Sequence, residues 1–203
     1  MTELLSVRNL CLVRGDRCLI RDLDFGLAAG ELLLIEGANG SGKTSLLRSM
    51  AGLLPLEDGE ISWKGRPVRD SAQEFRAALV WMAHKVGFKN DLTLVANLEF
   101  EASLRPSRIS EISTVIDRLG LSRLTELPFR VLSAGQQRRV ALARMLLAIS
   151  PLWLMDEPFT NLDADGRALV RDIVSSHLAD GGLCVIASHQ AVDVSAPIIR
   201  VRL

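Results

Sequence analysis

Residues 32–44 are LLLIEGANGSGKT, an apolar run followed by a glycine-rich turn that ends in lysine and threonine. Residues 31–36 predict a buried strand, and residues 43–51 predict a helix that ends at Gly52. Residues 37–44 match the pattern G-x-x-x-x-G-K-[S/T], with the strand before it and the helix after it that a phosphate-binding loop requires. A chance glycine turn before a helix is the alternative, and these flanking elements favour the phosphate site.

This loop has the chemistry of a nucleotide site. Its glycines let the backbone curl so that several N–H groups face one point, and the helix N-terminus adds partial positive charge. Lys43 can reach the β- and γ-phosphates of ATP, and the Thr44 hydroxyl suits Mg²⁺, which prefers hard oxygen ligands. We therefore expect ATP and Mg²⁺ as cofactors. The candidate nucleotide-binding residues of the loop are Gly37, Ala38, Asn39, Gly40, Ser41, Gly42, Lys43, Thr44 and Ser45.

A second apolar run delivers two carboxylates. Residues 152–157 are LWLMDE, so a buried parallel strand ends in Asp156 and Glu157, at the edge where α/β sheets bind ligands. Asp156 is a candidate Mg²⁺ ligand together with Thr44, and Glu157 a candidate catalytic residue that polarises the attacking water. A solvated strand end is the alternative, and the phosphate loop upstream argues against it.

Residues 132–136, LSAGQ, lie between these two motifs. The pentapeptide resembles the signature L-S-G-G-Q of ATP-binding-cassette ATPases, although in isolation it would be an ordinary serine cap of a helix. It follows the phosphate loop by about 90 residues and precedes the two carboxylates by about 20. Residues 161–163, NLD, resemble the D-loop of that family, and His189 resembles its switch histidine; a lone histidine there would more often be structural.

The resemblance covers essentially the whole chain and implies a dimer. In this family two domains pack head to tail, and each ATP lies between the phosphate loop of one copy and the signature of the other. The resemblance therefore implies that the chain associates with itself around ATP and hydrolyses it. It adds a catalytic role for His189 beside Glu157. It also adds these nucleotide-binding candidates: Ser133, Gly135, Gln136 and Asp163.

A closer resemblance is carried by residues 134–144, AGQQRRVALAR. They are similar to the ATPase subunits of the haem exporters of cytochrome c maturation, as are residues 35–40 (IEGANG), 156–160 (DEPFT) and 188–190 (SHQ). This family implies integral-membrane permease partners, a position on the cytoplasmic face of the bacterial inner membrane, and ATP hydrolysis coupled to haem delivery for c-type cytochromes. Whether haem itself moves or a haem chaperone is released stays open.

The chain departs from the wider family at two positions. It has no tyrosine, and near the place where relatives carry an adenine-stacking aromatic it has Arg14, whose guanidinium either stacks on adenine or is solvated. The glutamine that in relatives touches Mg²⁺ and senses the permease would fall at Lys85. Because a cation beside Mg²⁺ would repel it, we expect Lys85 to point elsewhere or to meet a phosphate.

The alternation of strands and helices predicts the fold class. We expect an α/β P-loop NTPase of the RecA-like type, with a mostly parallel sheet covered on both faces. Hairpin-like runs before residue 28 predict an additional N-terminal antiparallel subdomain. Helical periodicity between about residues 89 and 120 predicts an inserted helical subdomain, whose bounds we place at about 86–145. The whole chain, 1–203, is expected to be one ATP-binding domain.

Composition narrows the classes of partner. Lysine plus arginine equals aspartate plus glutamate, 24 against 24, so no charge excess favours a nucleic-acid partner. The three cysteines include no C-x-x-C pair, which is typical of reduced thiols rather than a disulfide framework. The sequence shows neither a signal peptide nor an apolar run of membrane-spanning length. We therefore expect any membrane attachment to go through a partner.

Three other functions share parts of these motifs. The chain could drive a different export system, for example of lipoproteins or drugs, with unchanged fold and chemistry. A soluble ATPase acting on DNA or ribosomes usually carries tandem cassettes or a long coiled-coil insertion, and 203 residues hold neither. A nucleotide sensor without turnover is disfavoured by the presence of Glu157 and His189.

Overall fold

The computed structural model describes residues 2–203, so only Met1 of the predicted domain lies outside it. The strands are β1 (Leu5–Arg14), β2 (Arg17–Leu27), β3 (Leu32–Glu36), β4 (Asp58–Trp63), β5 (Arg66–Pro67), β6 (Leu79–Met82), β7 (Leu152–Asp156), β8 (Leu183–Ala187) and β9 (Ile198–Arg202). The helices are α1 (Lys43–Met50), α2 (Ala72–Ala78), α3 (Leu94–Ser103), α4 (Ile112–Arg118), α5 (Ala134–Leu147) and α6 (Ala164–Ala179). Single 3₁₀ turns cover Ile109–Glu111, Ser122–Leu124 and Phe129–Val131.

A five-stranded parallel sheet in the order β6-β7-β8-β3-β9 forms the centre of the molecule. Every residue of β7 and β8 is buried, which is why both strands are continuous apolar runs. Because successive side chains point to opposite faces, Trp153 and Met155 pack against the α5 and α6 side. Leu152 and Leu154 pack against α1 and the N-terminal strands. The sheet thus separates two hydrophobic cores and holds the carboxyl ends of its strands at one edge.

The N-terminal strands form a second, antiparallel sheet in the order β2-β1-β4-β5. The β1–β4 ladder shifts register between Arg8 and Cys11, where Asn9 has φ 49° and Gly59 has φ 91°. A Cβ added at Gly59 would lie 2.5 Å from the Asn9 carbonyl oxygen, so glycine is required there. The predicted fold class, a mostly parallel sheet beside an antiparallel one, is confirmed.

Helices α3, α4 and α5 lie between β6 and β7 in the chain and share one core. They fall within residues 86–147, close to the predicted inserted subdomain. The division of the chain into one domain with this insertion stays a prediction.

The structure adds local detail to the sequence expectations. The periodic stretch 89–120 holds the separate helices α3 and α4, because α3 ends at Ser103 and Arg105-Pro106 follows, and proline disfavours a helical residue before it. The Pro106 carbonyl instead accepts from the Ile149 N–H at 3.1 Å. Helix α2 and the two-residue strand β5 were not expected, and only Phe75 of α2 is buried. Within residues 2–203, none of the helices combines the length and apolar character needed to cross a lipid bilayer.

Candidate functional site

The loop between β3 and α1 has the curled backbone that the sequence predicts. Gly40 and Gly42 have φ of 84° and 110°, in the left-handed region that glycine adopts without strain, and Gly42 is the N-cap of α1. No side chain caps this helix. Its first N–H groups are therefore available to an anion, and the helix dipole favours one there.

Two polar side chains of the loop, those of Lys43 and Ser41, are placed to bind a phosphate. Lys43 is buried, and its Nζ donates to the carbonyl oxygens of Gly37 at 2.8 Å and Ala38 at 3.0 Å. The hydroxyl oxygen of Ser41 is buried and has no hydrogen-bond partner among the described residues. A buried ammonium held over the loop and an unsatisfied hydroxyl beside it suit an anionic group with several acceptor oxygens. The residues present therefore fit a nucleotide phosphate.

Thr44 and Asp156 meet although 112 positions separate them in the chain. The Thr44 hydroxyl donates to Oδ2 of Asp156 at 2.9 Å, which joins the first turn of α1 to the end of β7. Burial raises the pKa of the Asp156 carboxyl, and the Thr44 hydrogen bond partly opposes that rise. A hydroxyl and a carboxylate held together are hard oxygen donors of the kind Mg²⁺ prefers. The pair fits a site for Mg²⁺ carried in with ATP.

Glu157 and His189 form the second polar pair. His189 Nδ1 lies 2.8 Å from Oε2 of Glu157, and the two residues follow the adjacent strands β7 and β8. The Glu157 side chain is 13% exposed and that of His189 is 50% exposed. Glu157 has a left-handed backbone, with φ 52°, which is unusual outside glycine and persists only where the surroundings hold it. The carboxylate is thus sheltered but still open to the cleft.

A cleft of about 480 Å³ brings most of the predicted residues together. From the sequence predictions it contains Arg14, Asn39, Gly40, Gly42, Lys43, Thr44, Ser45, Asp156, Glu157 and His189. Gly37, Ala38 and Ser41 belong to the same loop but do not line the cleft. The sequence did not single out three other lining residues, Leu19, His84 and Thr160. His84 and Thr160 flank recognised motifs, at the end of β6 and after the carboxylate pair, and that position is the only signal that would have found them.

The signature residues lie outside this cleft. Ser133 caps α5: its hydroxyl accepts from the Gln136 N–H at 3.3 Å, and the Gln136 side chain accepts from the Ser133 N–H at 2.8 Å. A Cβ at Gly135 would lie 3.0 Å from the Asn161 carbonyl oxygen, a tight contact that favours glycine there. Asp163 caps α6, accepting from the Gly166 N–H at 2.8 Å. One copy of the chain therefore does not bring its own signature to its own phosphate loop.

Lys85 lines a second cleft, of about 310 Å³, between the segment that follows β6 and the start of α5. It does not line the nucleotide cleft. This agrees with the expectation that Lys85 points away from a Mg²⁺ site, which its charge would repel. His84 lines both clefts. From this segment, a histidine lines the nucleotide cleft, and the lysine in the glutamine position does not.

Comparisons with known proteins agree with the motifs. Residues 20–160 match the family model described as ABC transporter. The chain is 43% identical over 199 residues to the cytochrome c biogenesis ATP-binding export protein CcmA of Dechloromonas aromatica (strain RCB), covering 97% of this chain and 98% of that protein. It is 44% identical over 192 residues to the protein of the same name from Methylococcus capsulatus, covering 94% and 93%.

Solved structures show the same fold at lower identity. An ATP-binding subunit of an ABC transporter superposes with a TM-score of 0.83 at 23% identity, covering 92% of this chain and 79% of that one. An ABC transporter ATP-binding protein from Pyrococcus furiosus also superposes with a TM-score of 0.83 at 23% identity, covering 97% and 96%. The family model and the near-full-length relatives confirm both resemblances inferred from the motifs. The chain belongs to the ATP-binding-cassette transporter family and, within it, to the cytochrome c biogenesis ATP-binding export proteins.

Proposed function

We propose that the chain is the ATP-hydrolysing subunit of an exporter that serves c-type cytochrome biogenesis, coupling ATP hydrolysis to haem export or delivery. The main support for this proposal is that two hydrogen-bonded pairs, Thr44 with Asp156 and Glu157 with His189, line one cleft beside the phosphate loop, at one edge of the parallel sheet. The relatives named for cytochrome c biogenesis, which match nearly the full chain, supply the biological setting.

The chemistry follows from what each side chain can do. Lys43 and the N–H groups of the loop bind the phosphates, and Thr44 with Asp156 would hold Mg²⁺. Mg²⁺, when bound with ATP, neutralises charge on the β- and γ-phosphates. Glu157 orients the attacking water and accepts its proton, because its carboxylate is open to the cleft. His189 fixes the rotamer of that carboxylate through the 2.8 Å contact.

The position of the signature residues supports a dimer that closes around ATP. Ser133, Gly135, Gln136 and Asp163 lie away from the nucleotide cleft of their own copy; Ser133 is exposed and Gln136 is half-buried. The N-terminus of the 14-residue helix α5 offers N–H groups and a positive dipole end to an anion. We infer that two copies pack head to tail, so that this region of each copy closes over the γ-phosphate bound by the other.

A permease partner would account for the second cleft. The cleft joins the segment after β6 to the start of α5, and through His84 it is continuous with the nucleotide cleft. A partner seated there would touch both the signature helix and the nucleotide cleft. We therefore place the chain on the cytoplasmic face of the bacterial inner membrane, attached through integral permease subunits. The composition supports no nucleic-acid partner in this scheme.

Deleting the gene and restoring it tests the proposal. Loss of haem-stained c-type cytochromes, restored by the wild-type chain but not by Glu157→Gln, is the expected result. Affinity purification of the Glu157→Gln chain from membranes should also bring down integral permease subunits. Normal c-type cytochromes after deletion would reject the haem role and favour another export system. A chain that purifies without any membrane protein would reject the transport role altogether.

A further inference from the structure

Arg138 is a buried arginine in the helix that carries the signature. Only 5% of it is exposed, and it lies in the second turn of α5, after Ser133 and Gln136. No carboxylate of the described residues forms a salt bridge with it, unlike Arg144 of the same helix, which pairs with Glu101. Burying an arginine without an ion-pair partner is costly, so its hydrogen bonds must compensate.

All of those hydrogen bonds go to backbone carbonyl oxygens. Nη2 donates to Asp156 O at 2.6 Å and to Glu157 O, and Nε donates to Pro158 O at 3.3 Å. Nη1 donates to Ala83 O at 3.1 Å and to His84 O at 3.4 Å. The planar fork of the guanidinium thus joins α5 to two other segments, the turn 156–158 and the end of β6.

The turn that Arg138 binds is the one that aims the catalytic carboxylate. Glu157 has φ 52°, a conformation that a residue with a Cβ adopts only when its surroundings hold it. Its N–H donates to Ala187 O at 2.9 Å, and its carbonyl accepts from Arg138, so it is fixed on both sides. Without the guanidinium, the carbonyls of residues 156–158 would each lose one donor. The Glu157 carbonyl would keep the Thr160 N–H, at 3.2 Å, and the turn would be freer to relax.

We propose that Arg138 is a positioning residue for ATP hydrolysis, holding Glu157 at the angle from which its carboxylate meets the attacking water. The inference rests on the proposed function, because it assigns a reaction to that carboxylate. Arg138 also donates to the carbonyls of Ala83 and His84. The guanidinium therefore links His84, which lines both clefts, to the turn 156–158. Burial lowers the pKa of Arg138 to about 10, which leaves it charged at neutral pH.

Arg144 provides a matched control. Its side chain is only 13% exposed, and besides its ion pair with Glu101 it donates to backbone carbonyls, those of Trp81 at 2.8 Å and Val86 at 3.4 Å. None of its hydrogen bonds reaches residues 156–158. Replacing either arginine removes a largely buried charge from the same helix, and replacing Arg144 also breaks its ion pair, but only the Arg138 replacement releases the catalytic turn.

The experiment compares Arg138→Gln, Arg138→Lys and Arg144→Gln in the purified full-length chain. For both Arg138 variants we expect kcat for ATP to fall on the order of 10²-fold while KM is nearly unchanged, since misplacing a catalytic group by about 1 Å costs that much. Lysine keeps the charge but not the fork, so it should not restore kcat. Hydrogen exchange at the Glu157 and Thr160 amides should accelerate in these variants and not in Arg144→Gln.

Several results would overturn the inference. An unchanged kcat per folded molecule in Arg138→Gln is one, and an equal loss of kcat in Arg144→Gln is another. If neither Arg138 variant folds, as judged by thermal melting, the residue is structural and the inference is rejected. A wild-type chain without ATPase activity contradicts the proposed function instead, and in that case hydrogen exchange still shows whether Arg138 holds the turn.

Discussion

His189 contacts Glu157 through a 2.8 Å hydrogen bond that links the ends of two adjacent parallel strands. The carboxylate is mostly sheltered, and the imidazole, half exposed, lies on its solvent side. This arrangement lets a histidine fix the rotamer of a general base without closing the cleft. It also predicts that the two residues act as a unit.

The first prediction is that substitutions of this pair are not additive. Glu157→Gln should leave ATP binding intact and lower turnover by roughly 10²–10⁴-fold, because general-base catalysis contributes about that much. His189→Ala should lower kcat by a smaller factor. The double variant should be no slower than Glu157→Gln alone, since the histidine has no carboxylate left to orient. Steady-state ATPase rates measure this, and independent, multiplying losses would show that His189 acts apart from Glu157.

Much of this site follows from the sequence, because its parts sit at strand ends. A buried strand, a glycine turn and a helix identify the phosphate loop, and the carboxylates after β7 must then reach the same edge of the sheet. The sequence predicts the pairing of Thr44 with Asp156 for that reason. The 2.9 Å contact between them agrees with the pairing.

The contacts of Arg138 could not be predicted in the same way. Backbone carbonyls are present at every residue, so no side-chain pattern indicates which of them an arginine will reach. Helix α2 was missed for a related reason. It buries only Phe75, which packs on Trp63 with ring centroids 5.9 Å apart, and so it depends on a tertiary contact rather than on a periodic pattern of its own.

A second prediction concerns the metal pair. Thr44→Ala removes the hydrogen bond that lowers the pKa of Asp156, so that pKa should rise further above its ordinary value. Because protons compete with metal for the carboxylate, Mg²⁺-dependent ATP binding should then be lost at a higher pH than in the wild type. The Mg²⁺ concentration needed for binding at neutral pH should also increase.

Thr44→Ser is the matched control, because it keeps the hydroxyl and loses only a methyl group. Binding of a fluorescent ATP analogue, titrated with Mg²⁺ at several pH values, distinguishes the variants. If Thr44→Ala and Thr44→Ser show the same Mg²⁺ and pH dependence, the hydroxyl is not part of the metal site.

A third prediction addresses the dimer. In a Glu157→Gln background, where bound ATP persists, ATP should convert monomers to dimers, and an added Ser133→Ala should prevent this. Thr93→Ala is the control, because Thr93 caps α3 in the same manner, accepting from the Ala96 N–H at 3.1 Å. Either substitution should cost about 0.5–2 kcal/mol of stability through its lost cap. Light scattering after size exclusion measures the dimer, and equal loss in both variants would remove the role of Ser133 in closing the site.

The last prediction uses His177, at the opposite edge of the sheet from the nucleotide cleft. Its ring stacks on Trp153 with centroids 3.9 Å apart, and burial lowers its pKa below the ordinary value of 6.5. The unfolded chain therefore binds a proton more readily than the folded chain. In the window from about pH 6.5 down to the lowered pKa, stability should fall as pH falls, by up to about 1.4 kcal/mol per pH unit. His177→Gln should flatten that slope in urea unfolding followed by tryptophan fluorescence, and an identical slope in the variant would show that another group titrates.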